Sequence, residues 1–525
     1  MIKKTLLFIF NAHVPYIRDE HAENSGEESR FFELLSYGLL PFLRMCGQLE
    51  KQAISFKCGL IISPIVCELL ADTHMQNAYI DYLERHTAFV QHELQRLKTD
   101  EYSCNLISMY HMLFQQAHRD FIVVYQKDII KKINYFAEQG KIELIATAAT
   151  PCFFPLYQSI PEALLAQIET GLVSFNQFFS TVPAGFWLPA MGYNAGIERI
   201  LKNYGIHYTI LESQSFLLAD NCPSAGVFFP ATSENGFTFF AKDASAYADI
   251  AHTETGMYQK SVYLDTDCDI GFDLEANYLA PLFEVAKGRR STGFCYQSRG
   301  TELPYDKKIA YITAEQDAAT FLHNRCTIMN NVSELLSKDS LCSVSVFPLQ
   351  FLGKTWFEGM HWLEYVFRSV AASNDMTCLL PSEYLKTVRQ VQTIVPFYSS
   401  SLPSGYADEL VNNTNDWMFS CIHKTIERMI DLADRFPNDP GVKERILNMA
   451  AREVLLAQSL DWPLSVYTDT FADYAANRCK EHIQSFTAAY EALGSGAVST
   501  EWLIQRERKY PLFSSMDYRC FKKRT

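Results

Sequence analysis

Ile142–Leu156, IELIATAATPCFFPL, opens on a largely apolar run and then turns at a proline. The run Ile142–Ala149 is too short for an ordinary helix and reads as a buried strand. The stretch before it, Asp128–Gln139, carries a helical pattern. The same alternation extends outward in both directions. TLLFIF (Thr5–Phe10), CGLIIS (Cys58–Ser63), AGFWLP (Ala184–Pro189), HYTILE (His207–Glu212) and CSVSVFP (Cys342–Pro348) are further short apolar runs. Phe31–Leu49 and Ala195–Tyr204 are further helical stretches. Strand and helix in repeated alternation predict a parallel sheet with helices outside it, and six or more such units favour a closed barrel.

The predicted fold class is therefore α/β, a distorted (β/α)7-type barrel spanning about residues 1–400. A strand-free helical insertion falls at about 68–113, and an inserted loop region at about 215–300. SSSLPSG, Ser399–Gly405, is rich in small and chain-breaking residues and marks a boundary. After it, about 405–525 reads as an all-helical domain covering the barrel mouth. Asp439-Pro440 offers a cap and a first-turn proline for a helix reaching about Ser459, and Gly494 is placed to stop the next long helix.

Composition narrows the function. The chain has 525 residues, 48% hydrophobic and 20% charged, with a formal net charge of −14. That is a globular chain with the wrong sign of charge for a phosphate backbone, so nucleic acid is excluded as the main partner. KGRR, Lys287–Arg290, is the strongest local basic cluster and reads as a solvated loop. No apolar segment approaches the ~20 residues of a membrane span. The opening MIKKTLLFIFNAHVPY reads as a first strand, its apolar run being too short for a secretory leader. The 14 cysteines are scattered singly without a C-x-x-C pair, which predicts free thiols in a reduced, cytoplasmic protein and no zinc site. Aromatic residues reach 14%, a surplus that suits stacking on the C–H faces of sugars.

Working residues of a barrel stand at the C-terminal ends of its strands. There the chain offers His13, Pro151-Cys152, Ala190 and Pro348, with no carboxylate among them. No metal site is expected, since an Asp with paired His is missing from those ends, and no cofactor is expected.

The motifs in order resemble glycoside hydrolase family 57, and within it the 1,4-α-glucan branching enzymes. NAHVPYIR (Asn11–Arg18), GKIELIATAATPCFFPL (Gly140–Leu156), GFWLPAMGY (Gly185–Tyr193) and FPLQFLGKTWFEGMHWL (Phe347–Leu363) are similar to its four main motifs. LPSEYL (Leu380–Leu385), NDW (Asn415–Trp417), AREVLLAQSLDW (Ala451–Trp462) and MDYR (Met516–Arg519) continue the likeness nearly to the end. The resemblance implies a retaining mechanism with two carboxylates about 5–5.5 Å apart, one a nucleophile and one an acid/base. It places the nucleophile at position 190, which is Ala190, and the acid/base at position 348, which is Pro348. Further departures are Asn11, Pro151 and Lys354-Thr355, and the family's Gly-Ser-Trp-Gly loop has no match near Tyr398–Gly405.

By the same resemblance His13, Trp187, Trp356, Trp417, Asp461 and Trp462 are the candidate saccharide-binding residues, and Tyr258 or Tyr263 is the catalytic-loop tyrosine. For each of these the alternative is an ordinary core or interdomain packing role. The leading expectation is an impaired branching-enzyme relative, a pseudoenzyme, that binds α-glucan or another oligosaccharide. A second is an active glycan-modifying enzyme with relocated carboxylates, for which Glu212, Glu358 and Asp461 are the stand-ins, or with a changed substrate. A third is a non-enzymatic scaffold with a protein partner, favoured by Lys354 and by the missing loop tryptophan.

Overall fold

The computed structural model describes residues 4–18, 27–98, 101–283, 288–336 and 340–524. Lys287, part of the basic cluster KGRR, lies outside them. The chain divides into two compact units. Unit 1 comprises Met1–Leu60, Leu69–Glu143 and Asp243–Val388; unit 2 comprises Ile61–Glu68, Leu144–Lys242 and Arg389–Thr525.

Unit 1 is built on β1, Lys4–Ala12, and the next strand along the chain is β2, Cys58–Ile62. Leu6 to Phe10 are each 1% exposed or less, as expected of a strand covered on both faces, where alternation gives way to a continuous apolar run. β1 pairs in parallel with β8, Cys342–Pro348, and with β9, Met376–Cys378. Parallel strands of one sheet need a crossover, and the helix Gly359–Ala372 supplies the one that joins β8 to β9, the two partners of β1. In this register Asn11 stands opposite Pro348, so both strands end together. Around the region expected as a helical insertion stand the helices Pro64–Ala71, most of which belongs to unit 2, then Thr73–Arg96 and Glu101–Arg119 of unit 1. Asp72 caps the second of these by accepting from the His74 and Met75 N–H groups.

Unit 2 carries a second run of parallel strands. β3, Ile142–Thr147, pairs with β4, Phe186–Trp187, through Ala146 and Thr147. Gly185 bridges in parallel to Tyr208 of β5, Tyr208–Leu211, which pairs with β7, Thr238–Ala241. β6, Ala231–Thr232, turns back antiparallel on β7, and β10, Gln392–Thr393, pairs with β6. Among its described residues, the stretch 215–300 thus includes the two strands β6 and β7 in unit 2 and the helices Ala244–Ala251, Ile270–Asp273 and Ala276–Leu279 in unit 1, elements too short to show a period in the sequence.

The C-terminal helices of unit 2 are Asp416–Arg435, Val442–Ala457, Asp461–Tyr467, Ala472–Ser495 and Thr500–Lys509. Two ends differ from the sequence reading. The second helix starts at Val442 after Gly441, later than the Asp439-Pro440 signal. The long helix runs through Gly494 and stops at Gly496, whose φ of 71° is the left-handed conformation that ends helices. The segment that follows β3 is tied to these helices inside the same unit. The Thr150 hydroxyl donates to the Leu455 carbonyl at 2.8 Å, and the Leu460 N–H donates to the Pro151 carbonyl at 2.8 Å.

Candidate functional site

The end of β4 is a strained and heavily held turn. Ala190 has φ 51° and ψ 22°, and Met191 has φ 51°. Two consecutive non-glycine residues in the left-handed region cost about 1–3 kcal/mol each and persist only where the surroundings impose them. The surroundings do so here through backbone bonds. Met191 N–H donates to Leu188 at 2.7 Å and Gly192 N–H to Pro189 at 3.0 Å. Ser401 N–H donates to the Ala190 carbonyl at 2.7 Å, and Tyr193 N–H donates to Ser399 at 2.9 Å. Gly192 is required by close approach, since a Cβ there would stand 2.4 Å from the Phe153 ring. The Tyr193 hydroxyl points away into a bond with Glu198 Oε2 at 3.1 Å.

The Ala190 methyl packs on an apolar cluster. Phe153, Leu402 and Leu410 form its centre, and Tyr406 and Leu460 pack against it beside Ala190. Tyr398 stands at the edge of this region, 48% exposed, with its ring 4.9 Å from Tyr406 and 4.1 Å from Phe397. Sequence reasoning missed this segment. Its serines, proline and glycine read as a domain boundary, whereas the two tyrosines flanking them were the usable signal.

The other sequence-predicted residues of unit 2 are placed as follows. Trp187 is 7% exposed, and its carbonyl accepts from the Thr147 hydroxyl. Trp462 is 2% exposed, and its indole N–H donates to the Leu456 carbonyl at 2.7 Å. Asp461 opens a helix and accepts from the Ser459 hydroxyl at 2.7 Å. Trp417 is half-buried under the Lys480 ammonium, 5.3 Å from its ring. Glu212 is bound to Lys242 at 2.9 Å. Ala190 and Leu460 pack on one cluster, of which Asp461 and Trp462 are not members; the Trp462 ring lies 6.0 Å from that of His482 instead.

In unit 1, His13 and Pro348 share a strand-end neighbourhood. Pro348 is the exposed last residue of β8, and the Leu349 N–H that follows donates to the Asn11 carbonyl at 2.8 Å. The His13 carbonyl accepts from the Gln350 side chain at 2.9 Å. Trp356 is 1% exposed and packed against Tyr263 and Trp362. Tyr263 is fully buried and donates to Asp317 at 2.6 Å, while Tyr258 lies under Arg299 and against Phe351. Lys354 turns inward, to Glu33 at 3.0 Å and Ser291 at 2.9 Å. Burial opposes its charge, but Glu33 and Asp269 outweigh that and hold its pKa above the ordinary lysine range. It is a strut within unit 1, and so gives little weight to a scaffold reading.

Among the described residues, no group of three or more His, Cys, Asp or Glu could hold a metal ion. No helix among them is long and apolar enough to cross a membrane.

Comparison with known proteins decides the kinship. Residues 7–266 match the model of glycosyl hydrolase family 57, and residues 421–521 match that of the 1,4-alpha-glucan branching enzyme C-terminal region. The chain is a relative of the family 57 branching enzymes. It is 25% identical over 514 residues to a 1,4-alpha-glucan branching enzyme of Thermococcus kodakarensis, covering 92% of this chain and 73% of that one. A probable 1,4-alpha-glucan branching enzyme of Mycobacterium tuberculosis is 22% identical, covering 98% and 97%. Among solved structures, the alpha-amylase AmyC of Thermotoga maritima superposes with a TM-score of 0.91 at 28% identity over all of both chains. The family 57-type branching enzyme of Pyrococcus horikoshii superposes with a TM-score of 0.90 at 22% identity, covering 100% and 98%. The α/β barrel-type fold with a helical C-terminal part, expected from the strand–helix alternation, is the fold of this family 57 relative.

Proposed function

We propose that this relative binds α-glucan or another oligosaccharide and is impaired in the two-carboxylate chemistry of branching. The observation that carries the reading is the environment of Ala190. The position that the motif likeness gives to the nucleophile holds a methyl group, and that methyl is packed on the Phe153–Leu402–Leu410 cluster. Nothing there can attack a sugar carbon. At the acid/base position Pro348 has no ionisable group. The three stand-in carboxylates are otherwise engaged: Glu212 is ion-paired, Glu358 is fully buried and Asp461 accepts from the Ser459 hydroxyl. Losing even five orders of magnitude in rate corresponds to about 7 kcal/mol of transition-state stabilisation.

Saccharide binding is supported by Tyr398 and Tyr406, aromatic rings at the rim of the same cluster. Cytoplasmic location is supported by the cysteines, all of which are free.

The test is purified protein with maltoheptaose and amylose. Calorimetry reads binding, and linkage analysis of the recovered glucan reads chemistry. Binding with chain length and linkages unchanged is the expected result. New α-1,6 linkages formed at a robust rate would overturn the impairment, and absence of binding would overturn the ligand.

A further inference from the structure

Unit 1 buries a carboxyl group in surroundings that do not suit its charge. Glu358 immediately precedes the helix Gly359–Ala372 and is fully buried. Its Oε1 accepts from the Leu264 N–H at 3.2 Å. Its Oε2 meets no donor in hydrogen-bonding geometry among the described residues, and the indole N–H groups of Trp356 and Trp362 are likewise buried without an acceptor. An ionised carboxylate taken out of water needs several donors or a cation closed upon it; a neutral carboxyl tolerates fewer.

The charged and titratable groups around it supply little compensation. Arg299 is the cation acting on it, but its guanidinium is already shared among the Leu264 and Thr355 carbonyls, Thr266 and Asp267. The Tyr305 hydroxyl lies beside the carboxyl. Tyr263 and Tyr311 also feel its charge. The hydroxyl of Tyr263 is given to Asp317, which is in turn paired with Lys260. His361, on the following helix, is bonded to Glu315. Unit 2 provides the contrast. Glu453 is 1% exposed, but His482 and Arg506 close on it at 2.7 Å each, and its pKa is lowered despite burial.

We propose that Glu358 is kept as a neutral carboxylic acid and serves as a proton-controlled clasp on the segment Lys260–Asp267, which docks while the proton is held and loosens when it leaves to solvent. Glu358 is then a positioning residue, acting through the Leu264 N–H on the segment that carries Tyr263. Burial raises its carboxyl from 4.5 to about 7, with Tyr305 and the Leu264 N–H only partly opposing. The sign follows. Between 4.5 and about 7 the undocked form has lost the proton that the docked form still holds, so rising pH favours undocking. The gain is up to tenfold per pH unit, about 300-fold across the window, and it levels off above about 7. The clasp concerns unit 1 alone and stands or falls independently of saccharide binding.

Hydrogen–deuterium exchange of the full chain, corrected for intrinsic exchange, tests it from pH 5 to 8.5. Protection of 260–267 should fall relative to the rest of unit 1 as pH rises and then level off. In Glu358→Gln it should stay at the low-pH value throughout. A protection that ignores pH in the wild-type chain, or the same pH dependence in Glu358→Gln, would overturn the proposal. Infrared difference spectroscopy of the wild-type chain needs no variant. It should show a protonated buried carboxyl at pH 6 that disappears with a midpoint near the value of about 7 given above. Absence of that carbonyl band at pH 6 would overturn the proposal as well.

Discussion

The ends of β4 and β8 hold the two positions where the motif likeness expects carboxylates, and the chain treats them differently. At β4, Ala190 sits in a left-handed turn, bonded through its carbonyl to Ser401 and packed by its methyl on an apolar cluster. At β8, Pro348 is exposed, and the order of the strand end comes from the neighbouring backbone, where Leu349 donates to Asn11. The difference teaches that the two positions are not equivalent. Position 190 is absorbed into the packing of unit 2, while position 348 is an exposed strand end.

The largest test of this asymmetry is removal of the cluster's central ring. Phe153 is 1% exposed, and Phe153→Ala is expected to destabilise unit 2 by about 3–5 kcal/mol in urea unfolding. A loss below about 1 kcal/mol would mean that the cluster does not hold the turn. Next in size is Ala190→Glu, which sets a carboxylate against apolar side chains on a left-handed backbone. It should cost about 1–3 kcal/mol and bring no branching. Unchanged stability would show that position 190 still opens onto water.

Binding comes third. Tyr398→Ala should weaken maltoheptaose affinity about tenfold, about 1.4 kcal/mol, at nearly unchanged melting temperature, because its ring is half-exposed. Equal affinity would move the ligand away from the β4 end. The smallest effect is expected at β8, where Pro348→Asp should stay within about 0.5 kcal/mol of the parent, as exposed positions do. A large loss there would abolish the contrast between the two ends.

The alternation of short apolar runs with helical stretches was enough to read an α/β chain, because buried parallel strands are continuously apolar and their crossovers are helical. The strands around Thr5–Phe10, Ile142–Ala149 and Cys342–Pro348 all appear near where that pattern puts them. β6, β7 and β10 were not legible, being two to four residues long and dependent on partners distant in the chain. The identities at positions 190 and 348 were likewise legible, since whether a residue type can ionise is read from the sequence alone.

What surrounds those positions was decided only by tertiary structure. Ser399–Gly405 has the composition of a linker, yet the Ser401 N–H completes the Ala190 turn. Lys354, a departure from the motif that favoured a scaffold with a protein partner, is drawn inward by Glu33 and Ser291. Glu358 and Glu453 are the same residue type at nearly the same burial, and their carboxyls shift in opposite directions. A sequence specifies which groups can ionise or stack. Only the fold sets how many donors, cations and apolar neighbours each one meets, and those neighbours determine its charge and its use.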